Sequence, residues 1–490
     1  MHPRWSARSS SPGWGWGLLV LFSATLAYSQ TLYALFDTNT RPLLAPVGMM
    51  GERGHTESLQ PLQLATVSHP HFVARSTYDD VYREPGVLRK EQVYRIEHSA
   101  YLELPLMLGS GLGLEVTGLS ANLWSGPSQG ESARLGRSLQ RVEAGLGREL
   151  RGGRLRMGGS LGVTRLAGAW LYGYSLEVAA RPHRSLSVAA SAGRRPDGST
   201  AQWAHAGKTY GADVGLLKSW WAAEIVASIS PRASLTGWYE HGQTHSPESN
   251  YKVSGLGFDP DLDSRSLGTT VRLDRPSGFS FVLGWSLLAV AGDGAVYYDR
   301  QQIGRLTRFT WDETNLELAG SYHPRALTRI SVGYGTYRLS GTDRGHVEPW
   351  PFSDTILDQL ATLFYWGSQE ARIDRVALAY AQEHGAAEDW SLRLGYLWVA
   401  PTLDFAWQQR QFLVFLGDIH RSGLDVEALE LLVPEGRKSF VLGAVTLTYA
   451  FAQAIPTRVR LREPPPPDRP GKSVESKGGG YHLFELSTRW

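Results

Sequence analysis

From about residue 93 to the end of the chain, apolar residues recur at every second position. In 170–180, Trp170, Tyr172, Tyr174, Leu176, Val178 and Ala180 alternate with Gly173, Ser175, Glu177 and Ala179. In 279–290, Phe279, Phe281, Leu283, Trp285, Leu287 and Ala289 alternate with Ser280, Gly284 and Ser286. In 390–400, Trp390, Leu392, Leu394, Tyr396, Trp398 and Ala400 alternate with Ser391, Arg393 and Gly395. Segment 93–106 sets Ile96, Ala100, Leu102, Leu104 and Leu106 against Arg95, Glu97, Ser99 and Glu103. A period of two is the side-chain period of a strand. Globular strands average about 5–6 residues, whereas a tilted strand needs about 9–11 to cross a bilayer. The run lengths therefore predict membrane-crossing strands.

The composition of the two faces supports that expectation. One face is apolar, with Trp124, Trp170, Trp220, Trp221, Trp311, Trp390 and Trp398 at or near the expected strand ends; the other is mostly Gly, Ser, Thr, Arg and Glu. Tryptophan and tyrosine favour the membrane–water interface because an apolar ring carries a hydrogen-bonding tip. A transmembrane barrel turns its apolar face to lipid and its polar face to the lumen. A secreted β-sandwich also alternates, with its apolar face packed on a second sheet, and alternation alone leaves that alternative open. Beyond residue 30 no apolar stretch approaches the ~18 residues of a spanning helix.

Proline-containing turns punctuate the pattern: Arg181-Pro182-His183-Arg184, Ser230-Pro231-Arg232-Ala233, Arg275-Pro276-Ser277-Gly278 and His323-Pro324-Arg325-Ala326. Proline suits a tight turn because its φ is fixed and its missing N–H costs no ladder bond there. The prolines at 182, 231, 276 and 324 lie 49, 45 and 48 residues apart, one pair of strands per interval. The series extends to His384–Asp389 and Pro434–Arg437, and back to Arg151–Gly153 and Gly109–Gly111. Opposite connections are mostly longer: 125–137, 194–207, 241–251, 291–305, 340–370 and 452–480. Outer-membrane barrels have short periplasmic turns and long external loops, which puts the proline turns in the periplasm. Segmentation from 93 yields about seventeen strands. An even number is required, and Leu62–Arg75 supplies an ascending first strand. The expected fold is all-β, a transmembrane antiparallel barrel of about 18 strands (16 as the alternative), with one or two short helices in its connections.

Residues 1–29 read as an export signal: Arg4 and Arg8 precede the apolar run Leu18–Phe22, and Ala27 and Ser29 stand at the cleavage-site spacing. Segment 30–92 lacks a clear period apart from the strand near 62–75; it reads equally as a plug inside the lumen, a periplasmic element or an extended leader. The barrel is assigned to 93–490. The chain has no cysteine, which excludes disulfide scaffolds, cysteine-rich zinc sites and thiol nucleophiles. With 20% charged residues and a net charge of +2, it is neither a polybasic nucleic-acid binder nor an acidic disordered chain.

A signal segment and a last strand ending in an aromatic residue, with Phe484, Leu486 and Trp490 on one face of 481–490, resemble bacterial outer-membrane β-barrel proteins. The resemblance covers nearly the whole chain and is one of architecture; no motif singles out a particular porin, receptor or enzyme family. Thr488 departs from it, standing where such strands often carry a larger apolar residue. The resemblance implies the bacterial outer membrane, contact with its lipid, and insertion by the barrel assembly machinery through the strand ending at Trp490.

Charges are costly towards lipid, roughly 2–4 kcal/mol for Arg at midplane, so those on the polar face are assigned to the lumen. They are Arg95, Arg141, Arg154, Arg156, Arg272, Arg329, Arg393 and Arg410, against Glu97, Glu103, Glu115, Glu143, Glu177, Glu224, Asp404 and Glu485. Eight against eight gives no single-sign field, so no strong ion preference is expected. In loop 340–370, Ile356, Leu360, Leu363 and Phe364 fall near helical spacing after Ser353, and a helix there would constrict the mouth or pack outside it. A second helix is expected over Leu424–Val433. Gly158-Gly159-Ser160-Leu161-Gly162 spells a nucleophile elbow but lies within an alternating strand, where the required strand-to-helix turn is missing. His241 and His245, and Asp259, Asp261 and Asp263, lack the framework of a metal site. No cofactor, metal or nucleic-acid partner is expected. The function expected is an outer-membrane channel or transporter for small solutes. A barrel scaffold for secretion, adhesion or surface assembly is the alternative, and an outer-membrane hydrolase a third.

Overall fold

In a computed structural model, residues 61–82, 93–106, 109–125, 133–166, 169–205, 208–246, 256–275, 277–298, 301–325, 327–347, 361–384, 387–411, 414–423, 426–461 and 480–489 are described. The period-two segments are strands, and neighbours in sequence pair as antiparallel hairpins. In order they are β1 (His71–Tyr82), β2 (Val93–Leu106), β3 (Ser110–Ser125), β4 (Ala133–Leu150), β5 (Leu155–Leu166), β6 (Ala169–His183), β7 (Leu186–His205), β8 (Lys208–Ser230), β9 (Ala233–His245) and β10 (Leu256–Asp274). They continue as β11 (Phe279–Tyr298), β12 (Gln301–Arg325), β13 (Thr328–Val347), β14 (Ala361–His384), β15 (Ala387–Gln411), β16 (Val414–Gly423), β17 (Val426–Leu442), β18 (Val445–Gln453), β19 (Ile455–Leu461) and β20 (Gly480–Arg489). One short helix, α1 (Pro61–Leu64), precedes them.

The sheet closes. Pairing runs from β1 through β15, then to β17, β18 and β20, and β20 returns to β1 with Arg75 opposite Glu485. β16 pairs with the outer part of β15 while β17 pairs with its inner part, so β16 and β17 are one broken descending strand. β19 likewise continues β18, both pairing with β17. The ring therefore has 18 staves, and closure through β18, β20 and β1 pairs the sheet's two ends with each other; β16 and β19, beyond that closure, are paired on one side only among the described residues.

Faces follow from the register. On β14, Gln369, Ala371, Ile373, Arg375, Ala377, Ala379 and Ala381 are buried and face inward, while Val376, Leu378 and Tyr380 are exposed and face outward. The same outward row continues as Leu392, Leu394 and Tyr396 on β15, Ile330, Val332 and Tyr334 on β13, and Phe279, Phe281, Leu283 and Trp285 on β11. Round the rest of the ring it passes through Leu112, Leu114 and Val116 on β3 and Tyr172, Tyr174 and Leu176 on β6. This is a continuous apolar belt, bordered on the short-turn side by the ring pairs Phe279–Tyr322 and Tyr380–Trp390. Beyond it, outward positions become polar: Asp312, Arg338, Glu370 and Arg372.

Several local expectations need correction. The first strand spans 71–82 rather than 62–75, and 61–64 is the helix. The last short turn lies at Leu442–Val445; Pro434–Arg437 is interior to β17, and so is most of the helix expected over 424–433. Most connections opposite the short turns are shorter than expected because the strands outrun the belt; β12 and β15 each have 25 residues. Trp311, placed near a strand end by the sequence, is mid-strand, inward and fully buried.

Candidate functional site

The inner wall changes character along the barrel axis. At belt level over β12–β15 it presents Ala319, Ser321, Ser331, Gly333, Ala377, Ala379 and Ser391, small or hydroxylated residues facing the lumen. Charged residues among them are held in pairs. Arg375 donates to Glu317, both nearly fully buried, and the Asn315 amide nitrogen donates to the same carboxylate oxygen at 3.0 Å. Arg393 lies 3.6 Å from Glu435, and Arg75 donates to Glu485 at 2.6 Å. Above the belt the same wall is apolar and packed: Phe309, Trp311, Leu339, Ile373, Leu397 and Val399 are all buried. Period-two alternation does not distinguish this apolar inner zone from a wet lumen, because both lie on the face opposite the lipid.

The opposite arc, β2–β6, is richer in carboxylates. Glu97 and Glu103 lie in the inward row of β2, where Glu103 accepts the Tyr101 hydroxyl at 2.5 Å. On β3 Glu115 accepts from Thr117 at 3.0 Å. On β4 both Arg141 and Glu143 are buried; Arg141 reaches Thr164 and the Pro196 carbonyl at 3.4 Å each, and Glu143 accepts from Ser160. Arg156 donates to Glu149 at 3.2 Å. The Glu177 carboxylate accepts the Leu62 backbone N–H at 3.1 Å.

Glu224 and Arg329 also lie in inward rows, beside Trp238 and Ala381 respectively. Arg272 pairs with Asp274 near the short-turn rim and is largely exposed. Arg154, expected inside, sits exposed in the β4–β5 turn because the strand begins only at Leu155. Asp404 and Arg410 stand on β15 opposite Ser368 and Thr362 of β14. The side chains of Arg95, Asp404 and Arg410 lie outside the described set.

Of the constriction residues, Ile356 and Leu360 fall outside the described residues. Leu363 and Phe364 are on β14, opposite Val347 and His346, and the Phe364 ring lies 5.9 Å from that of His346. The strand replaces the expected helix there. His241 and His245 are on β9, and Asp259, Asp261 and Asp263 on β10. His241 meets Asp263 at 3.3 Å. Among the described residues no cluster of three or more His, Asp or Glu side chains could hold a metal ion.

A feature the sequence did not locate joins α1 to this wall. Gly111, Gly147 and Gly158 stand directly opposite one another on β3, β4 and β5, and Glu177 continues the row on β6. α1 crosses that row. A Cβ on Gly147 would fall 2.6 Å from the Ala65 amide nitrogen, one on Gly158 2.6 Å from Pro61 Cβ, and one on Gly111 2.9 Å from the Leu64 carbonyl carbon. Glycine in a strand often marks such a close backbone approach; here it lets α1 lie against the wall, with Leu64 0% and Ala65 4% exposed.

No family model matches the chain, and no curated protein matches it in sequence. Solved structures similar in outline include OccK11 of Pseudomonas aeruginosa, 13% identical over 86% of this chain and 95% of that one, with a TM-score of 0.37. The ferric-catecholate import receptor Fiu of E. coli is 8% identical over 88% of this chain and 82% of that one, TM-score 0.40. The ferric enterobactin receptor of Pseudomonas aeruginosa is 8% identical over 86% and 81%, TM-score 0.38. At these values the likeness carries nothing about substrate or mechanism.

Proposed function

We propose that this barrel lies in a bacterial outer membrane and lets small polar solutes diffuse through its lumen, with no covalent step. The observation that carries the reading is the opposition of faces on single strands at belt level. On β15, Leu392 and Leu394 are exposed outward while Arg393 between them turns inward to Glu435. Such a strand is stable only with lipid-like surroundings on one side and water or polar partners on the other. A ring of 18 strands is wide enough to hold an aqueous path unless something fills it. Residues 1–29, outside the described set, are the proposed export signal, and the strand ending at Trp490 the proposed handle for barrel assembly.

Reconstitution into planar lipid bilayers tests the reading. Discrete, additive conductance steps are expected from the folded protein. A non-conducting scaffold for secretion or surface assembly is the second reading, favoured by the buried apolar inner zone around Trp311, Ile373 and Leu397. Silence from protein that is demonstrably folded and inserted would transfer the case to it. Lipid hydrolysis by the same material would instead favour the hydrolase.

A further inference from the structure

The glycine row is a seat built for one occupant. Three inward glycines in direct register form a shallow channel across β3, β4 and β5, and the backbone of α1 runs along it from Pro61 to Leu64. A carboxylate stands at the end of the row, where Glu177 accepts the Leu62 N–H. The row lies close to the short-turn rim, one residue beyond the start of β3 and three residues inside the ends of β4 and β5. Strand interiors disfavour glycine by roughly 0.5–1 kcal/mol each relative to alanine, so three in register carry a local cost in sheet stability at the place where α1 makes its close approach.

We propose that α1 is a removable wedge, held in this seat, that narrows the lumen near the short-turn rim and limits passage through it. The proposal rests on the channel reading above. The attachment suits a part that can leave. It is four residues long, Leu62 donates its backbone N–H to Glu177 on the wall, and its close fit depends on three glycines, so a single added methyl group should unseat it. A four-residue helix is unstable by itself in water, so an unseated α1 has no helical structure to keep and the seat alone decides its position.

The test compares two single methyl groups on the inner wall. Gly147→Ala puts Cβ into the α1 backbone, whereas at Gly284, inward on β11, the nearest atom to an added Cβ is Thr270 Oγ1 at 3.8 Å. Both are combined with Leu64→Cys, which is clean because the chain has no cysteine of its own. Two readouts are taken on the full chain in bilayers: labelling of Cys by a membrane-impermeant maleimide, and unitary conductance. With Gly147→Ala the labelling rate is expected to rise about 5- to 150-fold, the shift that overpacking of this size produces, and conductance steps are expected to grow. Gly284→Ala should leave both unchanged. Gly158→Ala, which meets Pro61 from the neighbouring strand, should reproduce the first result. Faster labelling with unchanged conductance overturns the wedge while leaving the channel reading intact. Labelling that stays slow in both Gly147→Ala and Gly158→Ala overturns the seat itself. Accelerated labelling in a protein that never conducts refutes the channel reading and the wedge's role together.

Discussion

The Arg375–Glu317 pair offers a sharp energetic test, because both side chains are almost inaccessible, at 2% and 4%. Gly335 makes room for the guanidinium: a Cβ there would lie 3.0 Å from Arg375 Cζ. Removing one partner of a buried pair leaves an uncompensated charge and typically costs about 3–5 kcal/mol. Glu317→Leu should sit at the upper end, since it also strips the Asn315 amide of its acceptor, worth about 1 kcal/mol. That corresponds to a loss of roughly two to four decades in the folding equilibrium. The double variant Arg375→Leu with Glu317→Leu removes both charges and should cost far less than the sum, approaching zero, because hydrophobic replacement of a whole buried pair is often neutral. The assay is reversible urea unfolding in lipid vesicles, followed by tryptophan fluorescence, with all four members of the cycle measured under one condition. Either single variant costing under about 1 kcal/mol, or a double variant costing the full sum, would refute the claim that the pair is sealed from water.

Other consequences follow from the same wall. Leu394→Arg, mid-belt on the outward face of β15, should lose about 2–4 kcal/mol of stability in vesicles, and a neutral result would place that face away from lipid. Trp311→Ala should cost about 3–5 kcal/mol by opening a cavity in the packed inner zone; a negligible loss in the same unfolding assay would mean the residue is not enclosed. Neutralising the carboxylates of the β2–β6 arc with Glu97→Gln and Glu103→Gln should shift reversal potentials away from cations, while Arg393→Gln should remove a positive charge beside Glu435 and shift them towards cations. Identical potentials in all three proteins would remove these residues from the conduction path.

The alternation that set the strand number is legible because a lipid-facing belt demands apolar residues at every second position, as in Leu392, Leu394 and Tyr396. Beyond the belt that demand ends. Arg305, Thr342 and Arg344 are polar although they occupy strands, so polarity there marks strand beyond the belt, and the loops expected over 291–305 and 340–370 are shorter. Pro434 reads as a turn because proline breaks ladders; it fits inside β17 because it falls at the join between β18 and β19, where neither pairs with it. Leu363 and Phe364 show helical spacing with their neighbours, yet a strand partner in β13 overrides local pattern. The cost of lipid exposure says that charges should turn inward but not which ones pair: Glu317 with Arg375 and Glu435 with Arg393 are separated by 58 and 42 residues. The glycines at 111, 147 and 158 were equally plain in the sequence, but only the register brings them into one row.

The claim on which everything here depends is that one face of each strand meets acyl chains while the face one residue away does not. Single cysteines placed in turn at Leu112, Gly113, Leu114, Glu115, Val116 and Thr117 on β3, carrying a bimane fluorophore in vesicles of brominated lipid, measure this directly. Strong quenching is expected at 112, 114 and 116 and weak quenching at 113, 115 and 117. Quenching without a period of two, or none at any of the six positions, would contradict a lipid-embedded barrel.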